Sequence, residues 1–228
     1  MKPINLKPEF IEIIKDAGKA PSGHNTQPWK FRTKENQIII TPDFTRRLKE
    51  VDADDHALFI SLGCALENLI LSVKAHRFSP KITTNFSDSK NEIIVELNKS
   101  EDVQKDVLYD FIQLRQSTRT EYQVKPIEQS ILNQLKEQTE NECVDILYIT
   151  DKNKIEALEP FIIEGSNLQF NNKPFVNELV SWFRFSKNAA QEKGDGLWTS
   201  SIGVPKMPKL VGNIIMKNFV SAKSEAKR

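Results

Sequence analysis

Ten residues, Ala20-Pro21-Ser22-Gly23-His24-Asn25-Thr26-Gln27-Pro28-Trp29, constrain this chain more than any other stretch. Pro21 pushes Ala20 out of the helical region and stops any helix arriving from the N-terminal side. Gly23 allows a backbone turn closed to other residues. Asn25 and Gln27 carry amides that both donate and accept, which suits the edge of a planar heterocycle better than a lone charge. Pro28 and Trp29 then open an extended segment. The composition reads as a ligand loop held between a helix and a strand.

The flanking patterns agree. Pro8 suits the first turn of a helix, where its missing N–H costs nothing. Phe10, Ile13, Ile14 and Ala17 then share one face, which predicts a helix over 8–19. Trp29 to Arg32 and Gln37 to Thr41 read as strands joined across Glu35-Asn36. Asp54 to Arg77 is the strongest helix pattern: Leu58, Leu62, Ala65, Leu66, Leu69 and Val73 recur at helical spacing, and Phe59 and Ile70 widen the stripe, as in a helix buried on more than one side. Lys81 to Phe86 and Glu92 to Leu97 alternate as a hairpin around Asp88-Ser89-Lys90-Asn91. Helices are expected over 103–114, 128–139, 152–169 and 174–190, with a strand over 144–149. Glycines and prolines between Lys193 and Val211 predict an irregular excursion of the kind that forms a lid.

Composition bounds the class. A chain of 228 residues can bury a sizeable core as one large domain or two small ones. With 39% hydrophobic and 28% charged residues it reads as a globular, cytoplasmic protein. A net charge of +1 gives no reason to expect nucleic acid as a partner. No apolar run approaches a membrane span, so no membrane partner is expected. The start, Met1-Lys2-Pro3-Ile4-Asn5, lacks the apolar region of a signal peptide. Two cysteines, Cys64 and Cys143, do not suggest a disulfide framework.

Several residues could carry chemistry. Arg115, Ser117 and Arg119 fall two apart, so an extended backbone puts them on one face, where two guanidiniums and a hydroxyl suit a phosphate. A solvated polar turn accounts for the same spacing. His24 reads either as an acid or as a loop histidine beside a ligand, and no catalytic residue is assigned. His56 and His76 fall at helix ends. Asp52, Asp54 and Asp55 read as favourable charge at a helix N-terminus. No cluster has metal-ligand spacing, so no metal is expected. Trp182, Phe183 and Phe185 read as packing residues. Residues 206–228 hold five lysines, one arginine and one glutamate, and read as a solvated basic helix.

The loop at Pro21–Trp29 resembles the flavin-binding signature of the FMN-dependent nitroreductase family. Ser61-Leu62-Gly63-Cys64-Ala65-Leu66-Glu67-Asn68-Leu69 is similar to that family's central helix. Arg115-Gln116-Ser117-Thr118-Arg119, with Pro126-Ile127 after it, resembles the family's Arg-x-Ser-x-Arg phosphate motif. Gly194-Asp195-Gly196-Leu197 and Gly203-Val204-Pro205 are similar to the later part of the Acg-like branch. The motif order, with the arginine segment second, is that of the Acg-like branch, in which an internal duplication lets one chain imitate a dimer.

The resemblance implies an α+β nitroreductase-like fold: an internally duplicated pseudo-dimer with a central antiparallel-rich sheet flanked by helices. The first copy would span 1–100 and hold the amide loop. The second would span 101–228, hold the arginine segment and a lid, and be incomplete, because members of the branch continue further. The implied cofactor is FMN, bound by Pro21, Ser22, Gly23, His24, Asn25 and Gln27 from one half-site and by Arg115, Ser117 and Arg119 from the other. The implied activity is NAD(P)H-dependent reduction of a small nitroaromatic or quinone-type acceptor. Storage of FMN beneath a lid is the alternative. The chain would act as a monomeric pseudo-dimer or as a homodimer.

Overall fold

Helix α2 (His56–Ala75) organises the molecule because its apolar side chains project toward two layers at once. Its start is fixed by Asp52, whose carboxylate accepts from Ala57 N at 2.8 Å and Leu58 N at 2.9 Å. Leu58, Leu62, Ala65, Leu69 and Val73 are buried between α1 (Pro8–Ala17) and a four-stranded sheet. The strands are β1 (Trp29–Lys34), β2 (Gln37–Pro42), β3 (Phe78–Ser87) and β4 (Lys90–Lys99), in the order β1-β2-β4-β3 with every pair antiparallel. Ile38, Ile40, Ile93 and Val95 supply the sheet's face of the core. The computed structural model describes residues 7–87, 90–118, 123, 125–138, 144–202, 208 and 210–212.

The rest of the described chain is α3 (Gln129–Gln138), α4 (Lys152–Asn171), α5 (Lys173–Ser181), β5 (Phe183–Arg184), α6 (Lys187–Lys193) and β6 (Leu197–Trp198). β5 and β6 pair in parallel over two residues each. Phe175, Val176, Val180, Phe183 and Phe185 form a second apolar cluster, separate from the first. The architecture is α+β with an antiparallel sheet and helices, compatible with a nitroreductase-like fold.

Several sequence expectations hold. The first helix stops at Ala17, ahead of Pro21. The two hairpins form where the alternation put them, though β3 and β4 run further than expected and residues 88 and 89 lie outside the described set. His56 opens α2 and His76 follows its end.

Others are corrected. Residues 103–114 form a short 3-10 turn at Val107–Phe111, because Ile112 alone among them is buried and no apolar stripe holds a full helix. The expected helix over 174–190 breaks into α5, β5 and α6. Phe183 and Phe185 enter the second cluster two residues apart, a strand period, and Ser186 then restarts a helix by accepting from Ala189 N. Residues 144–149 form no strand: only a single bridge occurs at Val144, and Leu147 is 82% exposed. Cys143 lies outside the described residues.

The membrane reading also needs correction. α2 is long and apolar enough by composition to cross a membrane. Its apolarity is explained here by burial on two sides within the core. α4, by contrast, buries no residue, and its Phe161 and Leu168 are 76% and 66% exposed.

Leu69 is fully buried and Ile60 on the same helix is 55% exposed. Leu69→Ala is expected to cost about 2–5 kcal/mol. Ile60→Ala should stay within about 0.5 kcal/mol. Urea unfolding followed by circular dichroism reads both, and equal effects would refute this placement of α2.

Candidate functional site

The Pro21–Gln27 loop folds on itself by local bonds. Asn25 N donates to Ser22 O at 3.0 Å, Thr26 N to Gly23 O at 2.9 Å, and Gln27 N to the Ser22 hydroxyl at 2.9 Å. The left-handed backbone falls on His24 (φ 48°), Asn25 (φ 53°) and Gln27 (φ 51°), not on Gly23. Asparagine and histidine tolerate that region better than most side chains. Gly23 has no left-handed backbone, and a Cβ there would lie 3.3 Å from Leu48 Cδ1, a tight contact with the end of a flexible side chain. Each non-glycine residue held left-handed costs about 1–3 kcal/mol, so other contacts must hold the loop in place.

Those contacts come from Gly194-Asp195-Gly196, about 170 residues later in the chain. Gln27 Nε2 donates to Gly194 O at 2.6 Å, and Asn25 Nδ2 donates to Gly196 O at 3.2 Å. Gly196 N returns a bond to Asn25 O at 3.1 Å. Gly194 (φ 65°) and Gly196 (φ 76°) supply left-handed turns on either side of Asp195. At Gly196 a Cβ would collide with the Trp182 carbonyl oxygen and the Arg184 guanidinium.

Asp195 sits between two arginines. Arg46 Nη2 meets its Oδ2 at 2.5 Å. Arg184 meets its Oδ1 through Nη2 at 2.5 Å and Nε at 3.1 Å. Arg46 Nε also donates to Thr26 O at 2.5 Å, which ties the loop into the same cluster. Both guanidiniums lie over the Trp182 ring, at 5.8 Å and 5.7 Å from its centroid. Burial pushes the Asp195 carboxyl upward, but hydrogen bonds and charge from Arg184 and Arg46 outweigh it and hold the group below 3.8. Sequence reading assigned no role to Arg46, Arg184 or Asp195. The signal was the Gly-Asp-Gly spacing, which places one carboxylate between two flexible positions.

Of the arginine segment, Arg115 comes close to the residues that lead into the loop. Arg115 Nη2 donates to Lys19 O at 3.2 Å, at the foot of the loop. Its approach is guided by buried Asp16, which accepts from Gln113 Nε2 at 3.0 Å and the Ser72 hydroxyl at 2.8 Å. Burial, and then the Asp16 carboxylate, raise the nearby Tyr109 phenol above 10.0. Ser117 is exposed in the coil beyond Arg115. Arg119 lies outside the described residues, as do Gly203, Val204, Pro205 and most of 206–228. Pro21 is exposed at the loop's entry. Among the described residues no group of histidine, cysteine or carboxylate side chains suits a metal ion.

Comparison with known proteins points to one class, the nitroreductases, at the distance of a remote relative. The chain is 29% identical over 79 residues, 35% of its length, to "Putative NAD(P)H nitroreductase MT3217" of Mycobacterium tuberculosis (strain CDC 1551 / Oshkosh). The same figures hold for "Putative NAD(P)H nitroreductase Rv3131" of Mycobacterium tuberculosis (strain ATCC 25618 / H37Rv). The matched part spans 23% of the length of these curated relatives. No protein-family model matches the chain.

Asp195→Ala leaves two guanidiniums without their carboxylate and should cost about 3 kcal/mol at neutral pH. Because the folded carboxyl ionises more readily than the unfolded one, this contribution is complete above 3.8 and is lost as pH falls through the lower folded value. The stability gap between wild type and variant should therefore hold steady from about pH 7 to about pH 5 and narrow as the pH falls further. Urea midpoints across that range test it, and a gap that persists at the acid end would count against the clasp. Gly196→Ala should destabilise by at least about 1 kcal/mol through the left-handed backbone alone, read as a lower thermal midpoint.

Proposed function

We propose that this protein binds FMN at the Pro21–Gln27 loop and works as an NAD(P)H-dependent oxidoreductase on nitroaromatic or quinone-type acceptors. The supporting observation is the bond from Arg115 to Lys19 O. It draws the head of the guanidinium segment to the foot of the amide loop across 96 positions of sequence. The likeness to proteins named as NAD(P)H nitroreductases supports the same reading.

The residues present fit such a ligand. Arg115 has one N–H donated to Lys19 O, which leaves donors for a phosphate oxygen. The carbonyl oxygen of the Gln27 side chain has no partner among the described residues, so it can accept from the N–H edge of a planar ring. Ser22 and Asn25 fix the loop's shape, and Ser117 and Arg119 are the proposed companions of Arg115 at the phosphate. Bound flavin would accept and pass on hydride, and the protein's part is to hold and orient it. One chain acting as a pseudo-dimer, with halves 1–100 and 101–228, or a homodimer would complete the site; native mass spectrometry separates them.

One observation favours the storage alternative. The Gly194–Gly196 strap already takes an amide donor from both Asn25 and Gln27, as a cover would.

Added FMN should give the purified protein a stable yellow colour. Arg115→Ala and Gln27→Ala should each weaken the affinity about tenfold, about 1.4 kcal/mol. Anaerobic NADPH should then bleach the flavin at turnover rates, and persistent colour would favour storage. Failure to take up FMN would overturn both readings.

A further inference from the structure

Beside the second apolar cluster the surface opens into a cleft of about 1040 Å³. It lies beside the amide loop without including it. Its walls carry Phe44, Arg47, Lys49, Glu178, Arg184 and Lys193, with Asp195 at the edge. The volume is at the upper end for a small-molecule site and far exceeds what a single inorganic anion fills.

The charges in the cleft are unequally satisfied. Glu178 Oε2 accepts from Glu50 N at 3.0 Å and Val51 N at 3.1 Å. Asp195 is held by Arg46 and Arg184. Arg47 pairs with Asp55 at 2.8 Å and donates to Ala53 O. Both carboxylates are therefore committed to partners within the protein. Lys49 and Lys193 have no hydrogen-bond or ion-pair partner among the described residues. Two unpaired ammoniums in a concave wall concentrate positive potential there, although the whole chain carries only +1. Beside them Phe44 presents a ring that is 42% exposed, with the Arg47 guanidinium 6.0 Å from its centroid.

We propose that this cleft binds a phosphorylated nucleotide, with phosphate oxygens on Lys49 and Lys193 and a planar base against Phe44. Its identity as the reduced nicotinamide donor rests on the function proposed above. A lone carboxylate would need one cation and no aromatic wall; a nucleotide uses both, together with the volume of the cleft. The donor's phosphates are then anchored apart from the flavin loop, by residues that take no part in holding FMN.

Calorimetric titration of the full chain with NADPH, with and without FMN, tests this, with inorganic pyrophosphate as the headgroup-only probe. The double variant Lys49→Glu/Lys193→Glu should weaken NADPH at least tenfold and abolish pyrophosphate binding, while FMN affinity stays unchanged. Phe44→Ala should weaken NADPH several-fold and leave pyrophosphate unaffected. Lys81→Glu, an exposed change on β3, should alter neither. If the glutamate pair fails to fold by circular dichroism, Lys49→Gln/Lys193→Gln serves instead, with the same direction expected. NADPH affinity equal to that of Lys81→Glu would overturn the proposal, even in a protein that binds FMN and turns over. NADPH binding through the two lysines in a protein that takes no FMN would support the cleft and sink the flavin reading alone.

Discussion

The placement of α5, β5, α6 and β6 against the layer built on α2 rests first on one carboxylate held between two guanidiniums. The apolar cluster built around α2 and the cluster built around Phe183 and Phe185 do not merge. Among the described residues, polar bonds cross between them: Arg46–Asp195–Arg184, the Asn25 and Gln27 amides on the Gly194–Gly196 backbone, and Glu178 on the amides of Glu50 and Val51. An apolar contact tolerates small sliding because it has no preferred direction. A guanidinium–carboxylate bracket does not, because its donors are fixed in a fork. Charge-assisted bonds therefore set the register between the two parts.

The same seam explains how a strained loop persists. His24, Asn25 and Gln27 hold left-handed backbone at positions where glycine would be cheaper. Their conformation is secured by the Ser22 hydroxyl, by Arg46 on Thr26 O, and by the strap. Such a seam opens locally at lower cost than an apolar core does. The loop is thus rigid when the strap is docked, and its amides are the groups released when the strap leaves.

Legibility in the sequence followed the range of the interactions. α1, α2 and the two hairpins rest on periodic apolar faces that meet one core, and Ile13, Leu62 and Val95 declare it in their spacing. The break at Trp182–Ser186 was hidden because it depends on Phe183 and Phe185 meeting partners from α5. The failed strand at 144–149 has the β-branched and aromatic composition of a strand, but among the described residues no strand pairs along it. In the site, Pro21 and the amides marked the loop from sequence alone. The Gly194-Asp195-Gly196 run stood out, but its pairing with two arginines did not, since charged residues at positions 46, 184 and 195 have no common local pattern. Gly23 was read as the left-handed turn, yet it is small for Leu48 and leaves the turn to its neighbours.

The enzyme and storage readings reduce to one equilibrium, that of the strap on the loop. A ligand that needs the Asn25 and Gln27 amides competes with the Gly194 and Gly196 carbonyls, and its apparent affinity falls by the fraction of molecules in which the strap is away. Docking worth about 3 kcal/mol would leave that fraction near one in a hundred. A ligand using only the Gln27 oxygen and Arg115 escapes the penalty, because neither group bonds to Gly194–Gly196. An anion entering between Arg46 and Arg184 would recover most of what Asp195 gives up, since a phosphate offers oxygens of the same charge and reach. The chemistry of the incoming group, more than the shape of the loop, therefore decides between sealing a ligand in and exchanging it.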